Sequence, residues 1–259
     1  MKSRRHNRLK LVVGTFLICS FLLTSSVVNA QTTDSSKTYH FYLEPYLLAA
    51  SMSGTIGIGQ LPNTFICVPA SEVFKYFKIG GMLYAEVHND RFAYTSDLFY
   101  ASLAQDASSK NGILNGTASV KQFWWELEGL YKVKPWLEFG VGARINSVTN
   151  GLNINTSGTI NKNASKGATW VDPIIVTRLK GVIHNKWLLQ LRADIGGFGI
   201  GSQFAWQLQP DIYYRASRLL ELGLGYRIIS MDYNKGSGDN RFLFDLEEYG
   251  PQLRIGFNL

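Results

Sequence analysis

Strict alternation of apolar and polar residues over stretches of about ten residues constrains this chain more than any other feature. The clearest stretch follows Trp136. One of its faces carries Leu137, Phe139, Val141, Ala143 and Ile145, and the other carries Glu138, Gly140, Gly142, Arg144 and Asn146. Successive side chains of a β-strand point to opposite sides, so these residues form two separate surfaces. Strands of this length with one apolar face, separated by turns, are typical of membrane-spanning β-barrels.

The pattern recurs after Lys186 and again from Leu220, and the whole chain predicts ten strands. They run over residues 38–50, 81–89, 91–104, 117–132, 135–149, 168–183, 186–198, 203–215, 219–233 and 241–259. The expected fold class is all-β, a single antiparallel up-and-down transmembrane barrel of about ten strands, with eight or twelve as alternatives.

The predicted connections alternate in length. Tight turns are expected at 88–91, 132–135, 184–186 and 216–218, and longer segments rich in Gly, Ser, Asn and Lys at 105–116, 150–167 and 234–240, with a shorter one near 199–202. Outer-membrane barrels have short periplasmic turns and longer outside loops, and both termini of an even-stranded barrel lie on the periplasmic side. The tight turns and both termini are therefore expected on the periplasmic side, and the longer segments on the outer side.

Residues 69–79, between the first two predicted strands, have a helical pattern. Val73, Tyr76 and Phe77 recur at helical spacing, and Ser71 is placed to cap the N-terminus. This short helix is expected either to close the barrel mouth as a lid or plug, or to rest on the rim.

The first thirty residues resemble a cleaved secretory signal. They combine a basic head, an apolar run over residues 11–23 that is too short for a transmembrane helix, and Val28-Asn29-Ala30 before Gln31. We therefore expect a signal at 1–30, a flexible leader at 31–37 and a barrel domain at 38–259. Removing the signal lowers the formal charge from +7 to +2, because 21 basic and 19 acidic residues remain. These charges are scattered, so no nucleic-acid partner is expected.

The apolar faces are expected to point outward into lipid. Large rings occupy positions close to the tight turns, as in the aromatic girdle of a membrane barrel. They are Phe92, Tyr94, Tyr131, Trp136, Trp187 and Tyr214. The alternating C-terminal strand, which ends at Leu259, resembles the recognition signal for the outer-membrane assembly machinery, although that signal usually ends in an aromatic residue. A soluble periplasmic lipid-binding barrel, with its apolar face inward, is the alternative.

Several motifs resemble a family of small bacterial outer-membrane β-barrel proteins (OmpA-like or porin-like barrels) without an established activity. The motifs are Asp194-Ile195-Gly196-Gly197-Phe198-Gly199-Ile200-Gly201-Ser202, Trp206-Gln207, Gly225-Tyr226-Arg227, Asp232-Tyr233, Gly250-Pro251 and Asp172-Pro173. The resemblance covers roughly residues 40–259. It implies a barrel in the bacterial outer membrane and assigns no catalytic residue.

The polar faces predict a charge network in the lumen, because the interior of a barrel of about ten strands is hardly wider than its side chains. Its expected members are Glu126, Glu128, Glu138, Arg144, Asp172, Arg178, Arg192, Asp194, Asp211 and Arg227. Glu44, Glu86, Asp97, Lys180, Arg215, Glu221 and Arg254 share the inward register. Buried charges need partners, so the network is expected to fill the lumen and to leave at most a narrow passage.

The most direct expectation from the sequence is a non-catalytic, monomeric envelope protein with a structural or narrow passive transport role. Its expected partners are outer-membrane lipid, lipopolysaccharide and the assembly machinery. A lipid-modifying or proteolytic barrel is the enzymatic alternative, but His40, His88 and His184 all fall at the predicted periplasmic end. The Glu126/Glu128 and Glu247/Glu248 pairs could serve acid–base chemistry or calcium, and neither has the spacing of a metal site. No cofactor or metal is expected.

Overall fold

Ten antiparallel strands close into a barrel, and two further strands extend one side of its wall. The computed structural model describes residues 38–108, 114–156 and 161–259, so the predicted signal and leader lie outside the described residues. The strands are β1 (His40–Leu48), β2 (Ser51–Ile58), β3 (Thr64–Val68), β4 (Phe77–His88), β5 (Phe92–Ser108), β6 (Leu114–Lys134), β7 (Leu137–Thr156), β8 (Asn161–His184), β9 (Trp187–Gly196), β10 (Phe204–Arg215), β11 (Leu220–Lys235) and β12 (Phe242–Asn258). A helix, α1 (Ala70–Tyr76), connects β3 to β4.

The barrel closes between its first and last strands. β1 pairs with β12 in a register that places Tyr42 opposite Asn258 and Leu47 opposite Leu253, while β4 to β11 each pair with the next strand along the chain. β1 completes the circle by pairing with β4. The predicted all-β antiparallel barrel of ten strands is confirmed, and β2 and β3 are strands that the sequence pattern missed.

The two ends of the barrel differ. At one end, which we call the turn end, tight turns join β4 to β5, β6 to β7, β8 to β9 and β10 to β11. Asn89 shows why the first turn is tight, because its side-chain oxygen accepts hydrogen bonds from the backbone N–H groups of Arg91 and Phe92, both at 2.8 Å. At the opposite end, the loop end, β2 leads to β3 and β11 leads to β12, and the β5–β6 and β7–β8 ladders extend furthest.

The prediction of long loops at 105–116 and 150–167 was wrong. β5 and β6 are paired as far as Ser108 and Asn115, and the β7–β8 ladder continues as far as Asn155 and Asn161. Only residues 109–113 and 157–160 of these predicted loops lie outside the described residues. The extended ladder is polar and carries cross-strand hydrogen bonds between side chains, such as Thr117 to Asp106 at 2.7 Å. The polar residues of these strand extensions resemble those of a loop, so composition alone could not distinguish the two.

The outer surface carries an apolar belt near the turn end. Along β7, Val141 is 63% exposed on the outside whereas Glu138 is 3% exposed and faces the lumen. The predicted girdle rings Phe92, Tyr131 and Trp136 are exposed at the turn-end edge of this belt. The structure therefore places the apolar faces outward, the surface that hydrocarbon covers in a membrane barrel.

The alternation reverses its phase above the belt. On β11 the outward residues change from Leu224 and Tyr226 to Ser230 and Asp232, while the inward residues change from Arg227 to a run of apolar side chains. A membrane-crossing strand needs only about 9–11 residues, whereas β8 has 24. The loop-end half of the barrel therefore has the polarity of a water-exposed protein, with a polar outside and an apolar inside.

Inward apolar side chains fill this half of the barrel and form what we call the loop-end core. Its buried members are Val148, Trp170, Ala205, Ile229, Met231, Tyr233, Phe242, Phe244 and Leu246. Trp170 stacks on Tyr233 with ring centroids 4.1 Å apart. Met52 and Ile56 from β2 and Ile66 from β3 pack against the same core, which explains why this additional hairpin folds onto the barrel.

The predicted helix exists, but it is shorter than the predicted 69–79, because Phe77 already begins β4, and its cap also differs from the prediction. α1 begins at Ala70, its N-cap is Pro69, and no side chain caps it. Ser71, predicted as the cap, therefore lies inside the first turn. The Ser51 hydroxyl on β2 accepts a hydrogen bond from the Ala70 N–H at 3.0 Å instead, so a tertiary contact replaces the local cap. No helix among the described residues has the length and apolar character needed to cross a membrane.

The phase reversal predicts opposite outcomes for one substitution at two positions on the same face of β11. Leu224→Arg is expected to lower the free energy of unfolding by about 2–4 kcal/mol, since it places a charge near the middle of the belt. Ser230→Arg is expected to leave it unchanged, because that position lies above the belt. Urea titration of the protein folded into lipid vesicles measures both, and equal effects would contradict the reversal.

Candidate functional site

The lumen at the level of the apolar belt holds the predicted charge network. All ten predicted members are buried, and their distances are set by strands that face one another across a narrow barrel. Eight of them form ion pairs within the described residues. These eight are Glu126, Glu128, Glu138, Arg144, Arg178, Arg192, Asp194 and Arg227.

The centre of the network is built from two arginines and three carboxylates. Arg144 donates to Glu126 at 2.7 Å and to Asp194 at 2.9 Å. Arg192 donates to the other oxygen of Glu126 at 2.7 Å and also to Glu128, and lies 2.8 Å from Asp194. β6 contributes Glu126 and Glu128, β7 contributes Arg144, and β9 contributes Arg192 and Asp194, so the ion pairs join strands that are not all adjacent in the sheet. The planar guanidinium fork of arginine suits such shared carboxylates.

Arg227 extends the network across the lumen. It donates to Asp97 and to the hydroxyl of Tyr46, both at 2.9 Å. Its guanidinium also lies 5.3 Å from the ring centre of Trp124, which stacks on Phe99 at 3.6 Å. Arginine over an aromatic face adds cation–π attraction, so this arginine joins the polar network to an apolar layer above it.

A second cluster lies nearer the turn end. Arg178 donates to Glu86 and to Glu138, both at 2.5 Å, and to the Tyr84 hydroxyl at 2.7 Å. Lys180 stands 3.7 Å from Glu86 and 3.6 Å from Glu138 and remains partly exposed. One arginine and one lysine thus neutralise the two glutamates.

The third cluster contains Glu44, Arg254 and Asp211, and Asp211, a predicted member of the network, is not ion-paired within the described residues. Arg254 pairs with Glu44, as the shared inward register suggests. Asp211 instead accepts hydrogen bonds from two neutral amides, Gln252 at 2.6 Å and Gln209 at 2.8 Å, and has no ion pair among the described residues. The two glutamines lie closer on the inner wall than any guanidinium, which explains the difference.

Asp172, expected to be a member of the ion-paired network, likewise has neutral partners. It accepts hydrogen bonds from the Ser202 N–H at 2.6 Å, the Ser202 hydroxyl at 2.8 Å, Asn146 at 2.9 Å and Trp170 at 3.1 Å. A Cβ at Gly201 would stand 2.3 Å from the Asp172 carboxylate. The aspartate therefore fixes the β9–β10 connection onto β8, and only glycine fits beside it.

The rest of that connection explains the Gly-rich motif. Gly197, Phe198 and Gly199 have positive φ angles of 84°, 49° and 77°, a conformation that glycine adopts without strain. The turn is tight, with the Gly199 N–H donating to the Ser202 carbonyl at 3.0 Å. No helix follows it, so the motif serves the fold and lacks the helix N-terminus on which phosphate-binding loops depend.

Side chains fill the lumen at the level of the network. The void bordered by Tyr84, Asp97, Glu126, Arg178, Arg192 and Arg254 has a volume of about 10 Å³, comparable with the space of a single water molecule. Removing a partner from such a cluster leaves a buried charge uncompensated. Within each cluster, every charge therefore depends on its partners.

A polar vestibule of about 190 Å³ opens below the network at the turn end. Tyr42, Glu86, Lys180, Tyr213 and Glu221 are among its lining residues. Its lining combines acidic, basic and tyrosine side chains, and it opens below the side-chain-filled part of the lumen.

The histidines and the Glu247/Glu248 pair considered for catalysis lie in different parts of the barrel. His40 and His88 stack at the turn end with ring centroids 5.4 Å apart, and His88 contacts Glu86 at 3.1 Å. Glu247 and Glu248 point to opposite faces of β12, and Glu248 accepts a hydrogen bond from Gln122 at 2.5 Å. Alternation along the strand therefore separates this glutamate pair.

Comparison with known proteins found similarity to solved structures but no matching family model and no matching curated protein. The chain is similar to the outer membrane protease OmpT from Escherichia coli, with 6% identity and a TM-score of 0.48 over 88% of this chain and 99% of that one. It is also similar to Ail, the attachment invasion locus protein of Yersinia pestis, with 7% identity and a TM-score of 0.34 over 86% and 99%. The toluene transporter TodX of Pseudomonas putida gives 10% identity and a TM-score of 0.34 over 87% and 90%. Likenesses at this level carry no information about activity.

Neutralising Glu126 tests whether the network holds the barrel together. Glu126→Gln keeps the shape of the side chain but removes the negative charge between Arg144, Arg192 and Arg227, so we expect a loss of about 3–5 kcal/mol in the free energy of unfolding. Glu72→Gln, on the exposed face of α1, is the matched control and should leave it unchanged. Urea titration in vesicles measures both, and a Glu126→Gln protein as stable as the control would contradict the proposed role of the network.

Proposed function

We propose that this protein is a bacterial outer-membrane β-barrel with a closed lumen, which serves the cell envelope as a structural or surface scaffold. The observation that carries the proposal is the combination of an apolar belt outside with a side-chain-filled lumen inside. In lipid every backbone polar group needs a partner within the protein, and a closed strand ladder is one of the two structures that supply it. The turn end then faces the periplasm and the loop end faces outward.

Two successive layers support a closed resting state. Ions entering from the turn end would meet the paired charges around Glu126 and Arg144, and beyond them the stacked rings of Phe99 and Trp124 and the loop-end core. Passage would require breaking buried ion pairs, which are costly to separate. A narrow passive transport role therefore ranks behind the scaffold role.

A non-catalytic role is part of the proposal. The described histidines lie at the turn end, and the buried carboxylates of the network are engaged by guanidinium groups or, for Asp172 and Asp211, by neutral hydrogen-bond donors. Acid–base catalysis needs a group within hydrogen-bond reach of a substrate, and the filled lumen leaves a substrate no room beside these carboxylates.

The proposed partners follow from the surface. The belt fits hydrocarbon chains, and the exposed polar strands above it would stand among lipopolysaccharide head groups. The alternating end of β12, with Leu253, Ile255 and Phe257 exposed on the outside, is the segment that the outer-membrane assembly machinery would read. A closed barrel leaves no membrane-level edge to pair with a second copy, which favours a monomer.

Bilayer recordings test the closed lumen. The purified protein in a planar bilayer is expected to give no stepwise conductance, because the network and the core block the path. A general diffusion porin inserted under the same conditions provides the positive control. Reproducible single-channel steps from this protein would favour the narrow transport role and contradict the closed state.

Cell fractionation tests the proposed compartment. We expect recovery with outer membranes and a heat-dependent change in gel migration, since a closed barrel stays folded in detergent until it is heated. Recovery in the soluble periplasm, with folding in the absence of detergent, would overturn the proposal in favour of a soluble barrel.

A further inference from the structure

Among the described residues, the barrel wall is interrupted between β3 and the part of β4 that lies toward the loop end, before Leu83. β4 pairs with β1 only from Leu83 to His88, and β1 then separates from it and continues along β12 as β2. β3 pairs with β2 and, within the described residues, has no strand on its other side. Helix α1 spans the interruption and contacts β2 and β5. The wall therefore has a seam that a helix, not a strand, covers.

The seam lies at the loop-end edge of the apolar belt. The cross-strand register places Phe77 opposite Leu103 on β5, which lies opposite Val120 on β6. On the outside of β6 the belt ends at this level. Phe123 is its last apolar residue toward the loop end, and the next outward residue in that direction is the exposed Lys121. Unpaired strand edges are not tolerated in hydrocarbon but can be hydrated at the interface. The position of the seam is thus compatible with a membrane barrel.

A groove of about 420 Å³ opens at the seam between α1 and the inner faces of β5 and β6. Its walls are mainly apolar and include Val68, Val73, Leu103, Ala118 and Val120. Glu72, Tyr76 and Gln105 supply a few polar groups. A largely apolar cleft of this size with a few polar groups is the usual form of a small-molecule site.

The outer side of the seam is also apolar. Phe65 on β3 is 69% exposed, Phe74 on α1 is 45% exposed and Ile79 on β4 is 63% exposed. Ile79 continues the outward row of β4 that begins within the belt with Leu83. The outward apolar row of β4 therefore reaches from the belt to the edge of the groove, with the exposed Lys78 and Lys121 beside it.

The groove has a closed floor. Phe99 and Trp124 stack beneath it, and they pack in one buried cluster with Tyr46 and Leu48. Trp124 is fully buried. A molecule that entered from the side would stop at this layer and would not reach the charge network.

We propose that this groove binds one acyl chain of an amphiphile that enters sideways from the outer leaflet, with α1 as the flap that covers it. The apolar row of β4 from Leu83 to Ile79 joins the groove to the belt and identifies the source as the membrane, and the closed floor makes the site a receptor and not a passage. The inference rests on the proposed membrane location of the barrel. It adds a ligand to a protein whose proposed function requires none.

Photolabelling with a myristic acid analogue that carries a diazirine at the chain end tests the site. The probe is added to the purified protein in phosphatidylcholine vesicles, and labelled peptides are identified by mass spectrometry. We expect saturable labelling around Val73, Leu103 and Val120, suppressed by excess unlabelled myristate. Ala118→Trp fills the groove, so labelling there should fall about tenfold at a fixed probe concentration, which corresponds to about 1.4 kcal/mol of lost affinity.

Ala143→Trp on the lipid-facing side of β7 is the matched control and should keep full groove labelling. Both variants should retain heat-dependent gel migration, and all proteins should show non-saturable labelling of the belt. Belt labelling without groove labelling, or groove labelling that Ala118→Trp leaves unchanged, would overturn the acyl-chain site while leaving the barrel proposal intact. Loss of belt labelling in the wild-type protein would contradict the membrane location itself. Displacement by hexane but not by myristate would also overturn the acyl-chain assignment.

Discussion

Closure of the strand ladder between β1 and β12 is the constraint on which the rest of the structure depends. A sheet at membrane depth cannot leave backbone N–H and C=O groups unpaired, because lipid offers no substitute for water. Once ten strands close, the lumen is so narrow that opposite walls are in side-chain contact. The inward polar residues must then satisfy one another, and the network around Glu126 is the result.

The same constraint explains the difference between the two halves of the barrel. Within the belt the outside is apolar and charges fill the inside, whereas beyond the belt the outside is polar and the loop-end core fills the inside. Within residues 38–108, 114–156 and 161–259, the sheet is interrupted near this change of level, where Leu83 is the last residue of β4 to pair with β1. Water becomes available there, so a helix can replace a strand and a groove can form.

The alternation sufficed to predict the ten barrel strands, because its period is local and strong. It could not separate a polar strand from a loop, and the extensions of β5 to β8 were therefore predicted as loops. β2 was missed because serine and glycine weaken its pattern, and β3 because its five residues do not alternate; both strands pack against the loop-end core. The inward register placed ten charged residues in the lumen, but pairs such as Arg227 and Asp97, 130 residues apart, depend on distances across the barrel. The register likewise does not show that Asp172 and Asp211 have neutral partners, because that depends on which side chains lie nearest to them in the folded barrel.

The filled, ion-paired lumen is the central claim, and hydrogen exchange of arginine side chains measures it most directly. The Nε–H groups of Arg144 and Arg178, which donate to buried carboxylates, are expected to exchange orders of magnitude more slowly than that of the exposed Arg218 in nuclear magnetic resonance spectra of the protein in lipid. Equal exchange rates for the three arginines would mean that water fills the lumen and would contradict the account.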